Sequence, residues 1–132
     1  AFIQVPGEAK LKIDLVRDAP PHFGELNVQP DGIIVDALEN IAVGKLLALY
    51  GRGYPRDFVD LYFLLNYGLD IDRLLVLGKE KDPGLFEFYL AGMMQQVVEI
   101  ESDDLPPMLK PLDLERMKQF FLALAGKLAA GQ

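Results

Sequence analysis

Apolar residues change from an alternating to a helical spacing near the end of the first third of the chain. Residues 2–5 and 10–16 alternate as strands do, with a Pro-Gly turn between them, which predicts a β-hairpin. Residues 17–31 contain three prolines and show no clear period, so we expect a loop with at most a short edge strand. Residues 33–35 then form a short apolar strand. The first third is therefore predicted to be β-rich.

Helical periodicity and capping residues predict five helices in the remainder. Asp36 with Glu39 resembles a capping box that starts the first helix, and two glycines end it. Proline suits the first position of the second helix, and Asp113 caps the last one. The predicted spans are 37–51, 55–67, a short helix from Asp70 or Asp72 to Gly78, 84–100, and 114–129. The expected fold class is α+β, with a small mixed or antiparallel sheet followed by a bundle of about five helices.

Composition narrows the classes of protein to consider. The chain has 132 residues, 51% of them hydrophobic and 25% charged, which is typical of one globular domain. We expect residues 1–36 to be its β-rich part and residues 37–132 its helical part. No apolar run reaches the length of a membrane span. The net charge of −7 argues against a general nucleic-acid binder, although it leaves room for a local basic groove. A cytoplasmic protein is expected.

Residue types exclude several kinds of chemistry. The absence of cysteine excludes disulfides, zinc-thiolate sites and thiol catalysis. The one histidine, His22, lies in a proline-rich stretch, so we expect a loop residue without chemistry. The aromatic residues recur at helical spacing, which is more typical of a core than of a cofactor site. The eight in question are Phe58, Tyr62, Phe63, Phe86, Phe88, Tyr89, Phe120 and Phe121.

Lys45 is the only charged residue between Ile41 and Gly51, on a predicted helix that is apolar all round. Such a lysine either reaches an anion or is paired within the core, since an unpaired buried charge is costly. Arg52 follows two helical turns later near the same azimuth, so both cations can point at one phosphate group. The alternatives are a lysine stem that extends to water and an internal salt bridge to Asp57 or Asp60.

Each of three aspartates, Asp14, Asp57 and Asp60, has both a structural and a functional interpretation. Asp14, in the middle of a predicted strand, is either an exposed residue paired with a neighbouring lysine or a metal ligand or general base. Asp57 and Asp60 lie in the first turn of a predicted helix, where the helix dipole favours negative charge. One of them could instead hold Lys45 while the other binds a metal or substrate, and Arg56 could pair with Asp60.

Two stretches carry a resemblance to a known family. LKIDLVRD and VDALENIAVGKLLALYGRGYPRDFVDLYFLL resemble the nucleotidyltransferases of the AbiEii toxin family, relatives of the DNA polymerase beta superfamily. The resemblance is best over residues 10–68, and the lysine helix followed by Arg-Asp-x-x-Asp is its specific part. It implies transfer of a nucleoside monophosphate from a nucleoside triphosphate to an acceptor such as RNA, assisted by Mg²⁺. An antitoxin protein is an expected partner.

The resemblance also assigns roles to single residues. Asp14 matches the carboxylate on the strand that follows the metal-binding motif and is the predicted metal ligand, and Lys45 matches the lysine that contacts the triphosphate. Asp57 and Asp60 match the acidic pair of the last motif, so these four residues are the predicted catalytic set. Lys45 together with two arginines forms the predicted nucleotide-binding set. Those two arginines are Arg52 and Arg56.

One motif of the family is absent. The Gly-Ser turn and Asp-x-Asp strand that hold the metals do not occur before residue 10. The chain also opens directly in a strand-like AFIQV, so we expect a processed or truncated product with a truncated nucleotidyltransferase-like fold. Alone it is expected to be inactive, whereas a longer parent would be the enzyme. The rival hypothesis is a non-catalytic helical module that binds an antitoxin-like partner. The nucleotide, the acceptor and homo-oligomerisation are left open.

Overall fold

The computed structural model describes residues 2–4, 10–12 and 20–131 of the chain. Four short strands precede five α-helices in the described residues. The strands are β1 (Phe2–Gln4), β2 (Lys10–Lys12), β3 (Asn27–Val28) and β4 (Ile34–Val35). The helices are α1 (Leu38–Gly51), α2 (Pro55–Tyr67), α3 (Ile71–Lys81), α4 (Glu87–Gln95) and α5 (Leu114–Ala130), with 3₁₀ turns at Gln96–Glu99 and Ser102–Asp104. The α+β class predicted from the sequence is confirmed.

Both pairs of strands are antiparallel hairpins. β1 pairs with β2, which confirms the predicted first hairpin, and the register places Ile3 opposite Leu11. β3 pairs with β4 and places Val28 opposite Ile34. In the part of the chain that is described, these hairpins form two separate two-stranded sheets. The expected single small sheet is therefore divided in two.

Helices α2 and α5 have the boundaries expected from their caps. α2 begins at Pro55 and ends before Gly68, as predicted. The side chain of Asp113 accepts a hydrogen bond from the backbone N–H of Arg116 at 3.2 Å, which caps α5. Met117 and Phe121 on the predicted apolar face of α5 are buried. Local capping signals were therefore sufficient to predict the bounds of these two helices.

The first, third and fourth helices differ from the prediction. The side chain of Asp36 does not cap α1, which starts at Leu38 after Ala37 without a side-chain cap. α3 continues past Gly78, because this glycine allows close packing: a Cβ there would lie 2.8 Å from Cδ2 of Leu85. α4 starts only at Glu87, since the Asp82 side chain accepts from the backbone N–H of Gly84 at 2.9 Å and holds a turn. Its expected end, near residue 100, is a 3₁₀ turn.

The core lies around α1, which packs against α2, α3 and α4, while α5 closes the bundle against α4. Phe58 of α2 and Phe121 of α5 meet edge to face, with ring centroids 5.1 Å apart. Both rings are buried, as the sequence predicts. The expectation of a core position is wrong for three aromatic residues at the start of α4, which are exposed because this helix buries Leu90, Ala91 and Met94 instead. The three aromatic residues are Phe86, Phe88 and Tyr89.

Within the described ranges, every helix is too short or too polar to cross a bilayer.

Candidate anion-binding groove

One side of α1 and the residues next to it line an open groove of about 350 Å³. Lys45 and Arg52 both face this groove because seven residues span two helical turns. Lys81, from the end of α3, adds a third cation. The other residues that line it are Asp36, Asn40, Ile41, Gly44 and Ala48. We call this cavity the α1 groove. It brings together cations from two helices that are distant in sequence.

Lys45 is both paired and partly exposed. Its Nζ lies 2.7 Å from Oδ2 of Asp60, and the two side chains are 32% and 42% exposed. An ion pair so open to water contributes only about 0–1 kcal/mol. Lys45 therefore combines two of the expected arrangements, because its stem follows the apolar helix while its ammonium group meets a carboxylate. A more highly charged anion in the groove can compete with this weak pair.

Gly44 leaves the approach to Lys45 open. It is exposed, and a Cβ added to it would meet no atom within 4 Å. A larger side chain at this position would stand at the mouth of the α1 groove.

Arg52 and Asp57 form a bidentate pair that joins the end of α1 to the start of α2. Nε and Nη2 of Arg52 donate to the two carboxylate oxygens of Asp57, each at 2.9 Å. The backbone N–H of Tyr54 donates to Oδ2 of Asp57 at 3.1 Å. The turn between the helices passes through Gly53, whose φ of 63° is in the left-handed region that favours glycine. Asp57 thus fixes the helix junction and the position of Arg52.

Burial and hydrogen bonding act in opposite directions on Asp57. Burial of the carboxyl group raises its pKa. The hydrogen bond from Arg52, the backbone N–H of Tyr54, and the charges of Arg52 and Lys45 together outweigh burial and hold the pKa below its usual value. The same hydrogen bond raises the pKa of Arg52. Both groups are therefore charged at neutral pH.

Arg56 belongs to a different surface. Its guanidinium carbon lies 5.5 Å from the centroid of the Tyr54 ring. It lines a cavity on α2 together with Asp60, and it is not among the residues that line the α1 groove. Of the two alternatives for Asp60, pairing with Arg56 or with Lys45, the structure has the pairing with Lys45. The structure therefore brings Lys45 and Arg52 together and separates Arg56 from them.

A polar network at one end of the α1 groove was not predicted. Nε2 of His22 lies 2.9 Å from Oδ1 of Asp36, and Nδ2 of Asn40 donates to Oδ2 of Asp36 at 2.6 Å. The Oδ1 of buried Asn40 accepts from the backbone N–H of Phe23 at 3.1 Å. The i, i+4 spacing of Asp36 and Asn40 was a usable signal. No sequence signal predicts Lys81 in the groove or His22 in this network, because both residues belong to segments outside α1.

The described residues do not fit a Mg²⁺ site. Both oxygens of Asp57 are occupied by Arg52 and Tyr54, and Asp60 is paired with Lys45. No group of three or more acidic, histidine or cysteine residues that could hold a metal occurs in the described ranges. Asp14, the predicted metal ligand, lies outside those ranges. The arrangement on α1 suits the binding of an anion rather than the binding of a metal.

Comparison with known proteins adds one match. A family model described as "Nucleotidyl transferase AbiEii toxin, Type IV TA system" matches residues 2–129. Neither the curated proteins nor the solved structures gave a match. The matched range includes the whole α1 groove and both helices that form it.

Proposed function

Because the chain belongs to the AbiEii nucleotidyl transferase toxin family, we propose that its α1 groove binds the phosphates of a nucleoside triphosphate. The observation that carries the proposal is the side-by-side placement of Lys45 and Arg52 on this groove, with Lys81 beside them. Fixed cations around an open cavity are suited to the charge of a triphosphate.

The residues divide into groups that contact the ligand and groups that position those contacts. Lys45 leaves its weak pair with Asp60 and binds phosphate as a point charge. Arg52 uses one hydrogen of Nε and one of Nη2 on Asp57, so the remaining donors of its five can bind phosphate oxygens. Asp57 is therefore a positioning residue for Arg52. Asp60 holds Lys45 at the groove before the ligand arrives.

The reaction served by this groove is proposed to be transfer of a nucleoside monophosphate to an acceptor such as RNA. Asp14 is the proposed metal ligand and general base, and Arg56, which lines the cavity on α2 and not the α1 groove, is the proposed contact to the rest of the nucleotide or acceptor. The described residues do not supply the ligands of a Mg²⁺ site. The sequence contains no Gly-Ser pair. We therefore expect this chain to bind the triphosphate without transferring the nucleotide.

Titration of each of the four common nucleoside triphosphates, followed by calorimetry, tests the proposal. Lys45→Ala is expected to weaken binding by about tenfold or more, equivalent to about 1.4 kcal/mol. Lys127→Ala is the matched control, since this exposed lysine near the end of α5 is not among the residues that line the groove. Equal affinity of the wild-type chain and Lys45→Ala would refute the assigned role.

The rival function is a helical interaction module that binds an antitoxin-like protein without catalysis. The observation that favours it is the pairing of both cations on α1 with carboxylates on α2, which ties the two helices together. It predicts that no triphosphate binds and that substitution of Lys45 changes only stability. The same titration, with urea unfolding of Lys45→Ala, separates the two functions.

A further inference from the structure

A second concave surface follows α2 and the segment after the last 3₁₀ turn. One cavity of about 520 Å³ lies between α2 and residues 106–110. A neighbouring cavity of about 610 Å³ extends along α2 towards Tyr67. The two share Phe63 and Lys110 in their walls, so they form one continuous depression. We call this depression the α2 groove.

Apolar side chains line the α2 groove and remain open to solvent. Leu109 is fully exposed at 105%, and Tyr67 is 76% exposed. Leu38 and Met108 on the same surface are exposed as well. Contiguous exposed apolar residues at a concave surface are typical of a site that binds another molecule. Methionine, tyrosine and arginine are also enriched where protein partners meet.

The charge of the α2 groove is opposite to that of the chain as a whole. Arg56 and Lys110 line it, and neither has a carboxylate within salt-bridge distance in the described part of the chain. The one carboxylate in its wall, Asp60, is already paired with Lys45. This positive surface stands on a chain whose net charge is −7. Its complement is therefore a ligand with both apolar groups and carboxylates.

We propose that the α2 groove binds an acidic amphipathic helix of a partner protein. Its apolar residues would fill the cavities beside Phe63, and its carboxylates would pair with Arg56 and Lys110. RNA fits less well, because affinity for RNA needs many phosphate contacts and this groove offers two unpaired cations. A second copy of the chain would bring another net charge of −7, which opposes association.

The test uses two synthetic helical peptides of about 16 residues, or some four turns. Both carry the same leucine and phenylalanine stripe. One has glutamate on its flanks, and the other has lysine at the same positions. Binding is measured by fluorescence anisotropy. The glutamate peptide is expected to bind at least about tenfold more tightly than the lysine peptide.

Charge reversal in the protein then gives an internal control. Arg56→Glu combined with Lys110→Glu is expected to invert the preference, so that the lysine peptide binds more tightly. Arg116→Glu combined with Lys127→Glu changes net charge equally, and neither residue is among those that line the α2 groove. Leu109→Asp, at a fully exposed position where the substitution is expected to leave the fold intact, should weaken binding of the glutamate peptide about tenfold.

Several outcomes would overturn the proposal. One is that both peptides bind with equal affinity, or that neither peptide binds. Another is the same change of preference in the control variant. Self-association that Leu109→Asp abolishes, without peptide binding, would assign the groove to a second copy. Displacement of the peptide by single-stranded RNA, with RNA binding lost in the double variant, would assign it to nucleic acid. None of these measurements uses a triphosphate, so the proposal fails or stands independently of the function of the α1 groove.

Discussion

Replacement of Asp57 by asparagine tests whether the helix junction is an electrostatic anchor. The side chain is fully buried and accepts two hydrogen bonds from Arg52 and one from the backbone N–H of Tyr54. Asparagine has nearly the same shape but offers one oxygen instead of two. Its amide hydrogens would face the donors of Arg52, so the variant cannot restore the bidentate pair.

The expected loss follows from these contacts. Hydrogen bonds to charged groups contribute about 1.5–3 kcal/mol each where both partners are buried. Arg52 is 40% exposed and can be rehydrated, so we discount the ionic part to about 1–2 kcal/mol in total. The weaker acceptor for the backbone N–H of Tyr54 increases the expected loss of stability by at most about 1 kcal/mol. Asp57→Asn should therefore lower the free energy of unfolding by about 2 kcal/mol.

Urea denaturation followed by circular dichroism measures this loss, and Asp60→Asn is the matched control. Asp60 lies one turn further along α2 and is also paired with a cation, but its side chain is 42% exposed. Its replacement should cost less than about 1 kcal/mol. If the two variants lose the same stability within about 0.5 kcal/mol, burial of Asp57 does not set the strength of the junction.

The stability difference between the wild-type chain and Asp57→Asn should depend on pH with a sign that follows from the pKa of Asp57. The pKa of Asp57 is lowered in the folded protein, so its contribution is present above the unfolded value of about 3.9. That contribution is lost as the pH falls through the folded value. The stability difference between the wild-type chain and Asp57→Asn should therefore narrow below about pH 4 and stay constant between pH 5 and 8. A difference that widens in acid would contradict the direction of the shift.

The remaining predictions concern the core and two glycines. Phe121→Ala should lower the free energy of unfolding by about 3–5 kcal/mol, because the ring is fully buried against Phe58, whereas Phe120→Ala, at a half-buried position, should cost clearly less in the same urea experiment. Gly126→Ala should raise stability by about 0.5–1 kcal/mol, since it lies inside α5 and its Cβ would meet nothing within 4 Å. Gly53→Ala should lower stability by about 1 kcal/mol or more, because φ is 63° and the Cβ would lie 2.8 Å from Cε of Met93. Thermal unfolding of the two glycine variants checks that the melting temperature rises for Gly126→Ala and falls for Gly53→Ala.

Local sequence signals were sufficient for part of the fold. α2 and α5 start at a proline and at a capping aspartate and end at glycines, so neighbours in sequence decide them. The end of α3 was not predictable in this way, because Gly78 has the appearance of a stop and is in fact a close contact with Leu85. The exposure of Phe88 and Tyr89 was not predictable from helical spacing, because the packing of α4 buries Leu90, Ala91 and Met94 instead.

The site was predictable to a similar extent. The shared face of Lys45 and Arg52 follows from helix geometry alone, and both residues line the α1 groove. The partner of Asp60 could not be predicted from spacing, because the sequence allowed a pair with either Arg56 or Lys45. The packing of α1 on α2 selects Lys45. Lys81 reaches the groove only because α3 packs on α1.

The position of Asp60 would couple the proposed binding of ligands in the two grooves. Its carboxylate is held by Lys45 of the α1 groove and also forms part of the wall of the α2 groove. An anion that draws Lys45 away leaves Asp60 without its cation, and the uncompensated carboxylate then repels other carboxylates in the α2 groove. By thermodynamic reciprocity, an acidic ligand in the α2 groove must weaken binding of an anion by the same factor. A single shared side chain would thus make the two ligands antagonists, with no movement of the helices required.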